Sequence, residues 1–223
     1  MIFPPLIFFL MVVFFFLALV LFPFLLMGLV GNAFLKLGLS PSMMFWLLIL
    51  TLLGSLVNLP ITTLEGREVI ADQVITYFGM RVRIPRMPVR QQTVLAVNVG
   101  GALIPVGLSL YLLSQMGLTP CLAVLLPAVT VVMYHLARPV KGLGIAVPGL
   151  IPPILAALGA YMLCPPELRA PTAYLASTMG TLIGADLLKL KEIARLGAPV
   201  ASIGGAGTFD AIFLSGIIAV LLS

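Results

Sequence analysis

Two aspartates, Asp186 and Asp210, stand in stretches that are otherwise apolar or small, GTLIGADLLKL and GGAGTFDAIFLSG. A carboxylate near a bilayer interior costs roughly 2.5–3.5 kcal/mol on insertion scales, so its presence calls for a partner or a function. Read together, the two groups form one candidate catalytic site. Sharing a desolvated space they cannot both ionise cheaply, and one proton is then held between them. One carboxylate activates a water while the other donates a hydrogen bond to a carbonyl, which is the chemistry of peptide hydrolysis by paired acids. A purely structural use is the alternative: Asp186 pairs with Lys189 three residues on, and Asp210 caps the helix resuming at Ala211.

The neighbouring residues shape such a site. Ser177, Gly180, Thr181 and Gly184 recur at three- and four-residue spacing and make a small-residue seam for close helix packing. Asp186 lies about 200° round the helix from Gly184 at roughly 100° per residue, so this span needs protein or water on both sides. Gly204, Gly205 and Gly207 loosen the backbone ahead of Asp210, and Thr208 stands between them. Gly207 shares a helical face with Asp210 and leaves room beside its carboxylate. Asn98, in VNVGGALIPV, and Pro148, in GLGIAVPGLIPP, complete the expected wall. Irregular backbone of that kind survives at membrane depth when it is buried in protein or lines a wet cavity.

Elements must carry these residues, and composition names their class. The chain of 223 residues is 61% hydrophobic and 9% charged, with a mean hydropathy of +1.23. A soluble domain carries about a quarter charged residues. The expected fold is all-α, a single integral-membrane domain over 1–223 with about seven transmembrane helices. The spans fall near 2–30, 42–64, 92–114, 119–136, 143–163, 171–189 and 200–223. Ser40 and Thr119 read as N-caps before Pro41 and Pro120. The apolar run at the N-terminus, with no basic residue ahead of it, reads as a helix and not a removed signal peptide. Residues 65–91 read as a short cytoplasmic hairpin turning at Gly79, with Arg81 and Arg83 on one face.

Loop charges orient the spans. Ten Lys and Arg residues fall on the side of the hairpin, against Lys36 and Arg169 on the other. That split places the chain in the cell membrane with a cytoplasmic N-terminus and a C-terminus outside. The net charge of +5 therefore belongs to the lipid bilayer as partner, and nucleic acid is not expected. Cys121, Cys164 and His135 do not make a zinc cage of the usual spacing, a disulfide is open, and neither a metal nor a cofactor is expected. Depth matches too. Counted from Pro171 and from Ser223, Asp186 and Asp210 lie about 22 Å and 20 Å from the outer ends of their spans, both toward the cytoplasmic side.

The stretches LAVNVGGALIPV, HLARPVKGLGIAVPGLIPP, GTLIGADLL and APVASIGGAGTFDAIFLSGIIAVLL resemble an uncharacterised prokaryotic membrane family, domain of unknown function 1614. More loosely, GAGTFDAIFLSG is similar to the Gly-x-Gly-Asp helix of presenilin and signal-peptide-peptidase proteases, and GADLLKL to prepilin peptidases. That second resemblance implies an intramembrane aspartyl protease acting on a transmembrane peptide, with Asp186 and Asp210 as its catalytic pair. Thr208 and Phe209 separate Gly207 from Asp210 here, and Ala185 stands where presenilins carry tyrosine. The competing class is a proton- or cation-coupled transporter in which the acids, Asn58 and Asn98 coordinate the ion. A non-catalytic membrane scaffold is the third.

Overall fold

Helix starts follow the capping chemistry of the sequence. In the computed structural model, which describes residues 5–70, 74–77, 80–83, 88–140, 144–193, 200–205 and 210–223, the fold is mostly helical. α1 runs Pro5–Lys36 and α2 Pro41–Gly54. The Ser40 hydroxyl accepts from the Met43 N–H at 3.3 Å, as an N-cap should. α3 is Ile104–Met116, closed by Gly117 at φ 71°. α4 is Pro120–Leu136, and the Thr119 hydroxyl accepts from the Leu122 N–H at 3.4 Å. α5 is Ile151–Leu163, α6 Pro166–Thr181, α7 Leu190–Ile193 and α8 Ser215–Leu222. Three π-helical turns adjoin these helices: 99–103 before α3, 182–187 after α6 and 210–214 before α8.

Strands occupy ground that the all-α expectation gave to spans and loops. β1 (Asn58–Ile70) pairs antiparallel with β4 (Pro88–Asn98), and β4 pairs parallel with β7 (Val200–Ile203), in the order β1-β4-β7. β2 (Val74–Tyr77) and β3 (Met80–Arg83) pair antiparallel, and the expected turn residue Gly79 lies outside the described residues. β5 (Arg138–Val140) and β6 (Gly144–Ala146) make a third, two-stranded antiparallel ladder.

The corrections have local causes. The second span ends at Gly54 and not at 64, because Pro60 cannot donate within a helix and Ile61, Thr62 and Thr63 are β-branched. The third begins at Val99, after the 11-residue strand β4, and the seventh at Asp210, after the four-residue strand β7. The fifth begins at Ile151, since Gly144–Ala146 is paired to β5. α1 continues past the expected boundary at residue 30 to Lys36 and buries Ala33 and Phe34 completely.

α6 is the central rod, packed against α3, α4, α5 and α8 and buried along Thr172–Thr178. Gly180 and Gly184 are where α4 comes closest: a side chain at Gly180 would meet Val129, and one at Gly184 the Thr130 carbonyl. One core cluster gathers Phe34, Tyr174, Ile217 and Val220; a second joins Leu95, Ala185, Ile203 and Ile212. A third surrounds a disulfide between Cys121 and Cys164, whose Cα atoms are 5.6 Å apart. Outside, large apolar side chains such as Phe14, Trp46, Tyr161 and Met162 are exposed. By length and composition Val99–Met116 is sufficient to cross a membrane, while Pro41–Gly54, Pro120–Leu136, Ile151–Leu163 and Ile212–Leu222 are shorter apolar helices.

Candidate functional site

Asp186 sits where α6 stops being an α-helix. Across 182–187 the turn widens, and the Leu188 N–H reaches back five residues to the Ile183 carbonyl at 2.9 Å. Such turns recur at functional sites because the extra residue redirects a side chain. Here the carboxylate is carried inward to 3% exposure. Its Oδ2 accepts from the Gly204 N–H at 2.9 Å. Lys189 does not take the pairing role considered for it. Its ammonium donates to the Ala137 carbonyl, lies 3.9 Å from Glu192 Oε2 and stands over the Tyr134 ring.

Gly204 can offer that N–H because it is glycine. It follows β7 at φ 68°, in the left-handed region that disfavours side chains. A Cβ there would stand 2.6 Å from the Gly101 carbonyl carbon, and one on Gly101 would strike the Gly204 carbonyl oxygen. The two backbones touch, which seats the end of β7 on the first π turn. Gly205 is buried, and its N–H donates to the Ser202 carbonyl at 3.1 Å.

Asn98 organises the same junction from the other side. At 3% exposure it donates to the Ser55 carbonyl at 2.7 Å and to Asn58 Oδ1 at 3.1 Å. Its own Oδ1 accepts from the Gly101 N–H at 2.7 Å and so caps the first π turn. Ser202 also donates to Asn58 Oδ1. The end of α2, the sheet and the start of α3 are thereby tied together. Asn58 accepts both bonds from its place at the start of β1.

Asp210 is the first residue of the third π turn, which packs on α6 and on the first π turn. Its side chain, Gly207 and Thr208 lie outside the described residues. Asp186 is bonded to Gly204, and Asp210 follows six residues later in the sequence. Ala185 and Ile212, each adjacent in sequence to its acid or nearly so, share one buried cluster. Ile145 and Val147 join that cluster, so the proline-rich segment flanks it. Pro148 lines a pocket of about 380 Å³ with Leu136, Arg138 and Ile151. Among the described residues no group of three His, Cys, Asp or Glu side chains is placed to hold a metal.

The family model of a protein of unknown function, DUF1614, matches residues 52–222. The chain belongs to the DUF1614 family. The match begins in α2 and covers the sheet, all three π turns and both aspartates. No curated protein and no solved structure matches the chain. Within this DUF1614 chain, sequence reasoning passed over Gly204 as the donor to Asp186. The signal available was the Gly204-Gly205 pair directly after a β-branched run.

Proposed function

We propose that this chain is an integral membrane protein in which Asp186 and Asp210 form an aspartyl dyad that cleaves a transmembrane peptide. The observation that carries this reading is the bond between the Asp186 carboxylate and Gly204, which fastens one acid to the strand that leads to the other. In the reaction one carboxylate takes a proton from water, and the water oxygen bonds to the peptide carbonyl carbon. The other carboxyl group hydrogen-bonds the carbonyl oxygen; the C–N bond then breaks and the leaving nitrogen takes a proton.

Seven helical rods support the membrane part of the reading: α1, α2, α3, α4, α5, α6 and α8, three of them lengthened by π turns. α1 alone has 32 residues with Lys36 as its only charge, about 48 Å long. α2 spans only about 21 Å against a hydrocarbon core of about 30 Å. β1 continues it, with backbone groups satisfied by the β4 ladder. The sheet lies at the end where α2 stops and α3 and α8 start, which is the cytoplasmic end in this orientation. The opposite end holds Lys36, donating to the Val220 and Leu221 carbonyls, and Arg169 over Tyr161. The Cys121–Cys164 disulfide lies there too, and disulfides persist in oxidising compartments. A cytoplasmic N-terminus and an outside C-terminus follow from that orientation.

Reconstitution into liposomes with a labelled transmembrane peptide tests the activity. Cutting is expected, and both Asp186→Asn and Asp210→Asn are expected to abolish it. A pH-driven uptake lost in the same two variants, with no peptide cut, replaces the dyad by a carrier. Folded variants that change neither assay leave the acids structural.

A further inference from the structure

Apart from Thr51 Oγ1 on α2, three buried hydroxyls among the described residues find no hydrogen-bond partner beyond one another: Tyr174 OH, Ser177 Oγ and Thr178 Oγ1, each on a residue with 0% exposure, with Tyr174 and Thr178 interacting as a pair. All three are on α6. At about 100° per residue they fall in one sector of that helix, together with Thr181, whose hydroxyl donates to the Ser177 carbonyl at 2.7 Å. The face looks onto α8 at a glycine: a side chain at Gly216 would strike Thr178 Oγ1 and the Tyr174 ring. Buried polar atoms in folded proteins are bonded to protein or to ordered water, and a hydroxyl both donates and accepts. A polar face of this kind at the centre of the most buried helix is one that ordered water can satisfy.

Both ends of this face lead somewhere. One turn before Tyr174, a pocket of about 300 Å³ is lined by Tyr111, Gln115, Glu167 and Pro171. At the other end, Thr181 runs directly into the wide turn that carries Asp186. Asp186, five residues beyond Thr181, is buried as the hydroxyls are.

We propose that internal water occupies the Tyr174–Ser177–Thr178 face of α6 and links the pocket beside Glu167 to Asp186. Its purpose, supply of the water consumed in hydrolysis, rests on the dyad reading; its presence does not. Radiolytic hydroxyl-radical labelling of the full chain in lipid nanodiscs, in oxygen-18 water, reads it directly. Tyr174 is expected to take up oxygen-18, whereas Phe34, equally buried in the same core cluster, stays unlabelled. The paired substitutions Ser177→Ala and Thr178→Val keep the packing and should lower Tyr174 labelling to the level of Phe34. An intact Cys121–Cys164 disulfide by mass spectrometry certifies their fold, and if they misfold the wild-type comparison decides alone. Tyr174 labelled no more than Phe34 overturns the inference, even in a protein that cuts peptide. Tyr174 labelled in a protein that cuts nothing keeps the water and removes the dyad.

Discussion

Gly204→Ala is the substitution whose cost the geometry states most directly. At φ 68° an alanine is held in left-handed backbone, which costs roughly 1–2 kcal/mol. Its Cβ would stand 2.6 Å and 2.7 Å from the Gly101 carbonyl carbon and oxygen and 2.8 Å from Ala102 Cβ. Two of those atoms are backbone and cannot rotate away, so an overpacking cost of about 1–3 kcal/mol is added. The sum is roughly 2–5 kcal/mol, a large part of a typical folding stability of about 5–15 kcal/mol. The relief available, separation of β7 from the first π turn, also pulls the N–H away from Asp186. Loss of a hydrogen bond to a charged group adds about 1.5–3 kcal/mol. Thermal and denaturant unfolding in detergent measure the effect, with Gly107→Ala as control. Gly107 lies within α3 with nothing within 4 Å of its Cβ position, so alanine there should be neutral or stabilise by up to about 1 kcal/mol. A Gly204→Ala protein within about 0.5 kcal/mol of wild type, the range of an uninvolved surface change, would refute the reasoning.

Asn98→Ala removes a cap and two donated bonds at once and should destabilise by about 2–3 kcal/mol in denaturant titration. Asn98→Asp keeps the acceptor for the Gly101 N–H and should fall between alanine and wild type. Cys121→Ser opens a disulfide across a sequence separation of 43, and chain entropy puts the loss at about 4 kcal/mol; a non-reducing gel and a melting curve check it. Ser40→Ala and Thr119→Ala should each cost about 1 kcal/mol and add, since they cap different helices. Orientation is tested by single thiols: Leu168→Cys should label from outside, and Met80→Cys, Val140→Cys and Glu192→Cys from the cytoplasm, a different pattern reversing or breaking the topology.

Local chemistry determined much of this protein from the sequence alone. Ser40-Pro41 and Thr119-Pro120 start helices wherever they occur, because a hydroxyl and a missing N–H answer the needs of a first turn. The seam of Gly180 and Gly184 announced close helix packing, the antiparallel pairing of Val74–Tyr77 with Met80–Arg83 followed from the alternation on either side of Gly79, and the apolar runs marked their rods. Asp186 stood out because a carboxylate in such surroundings is costly. Tertiary structure decided the rest. A run such as NLPITT or VASI is apolar enough to extend a helix and β-branched enough to leave it, and the choice fell to strand because β4 supplies partners from distant sequence. The π turns likewise depend on packing: the extra residue at 182–187 is accommodated because Gly184 lets α4 approach and Gly204 meets the redirected carboxylate. Cys121 with Cys164, Gly101 with Gly204 and Asp186 with Gly204 are contacts between segments far apart along the chain. No local preference records them, because they exist only once burial of the apolar faces has set the helices in place.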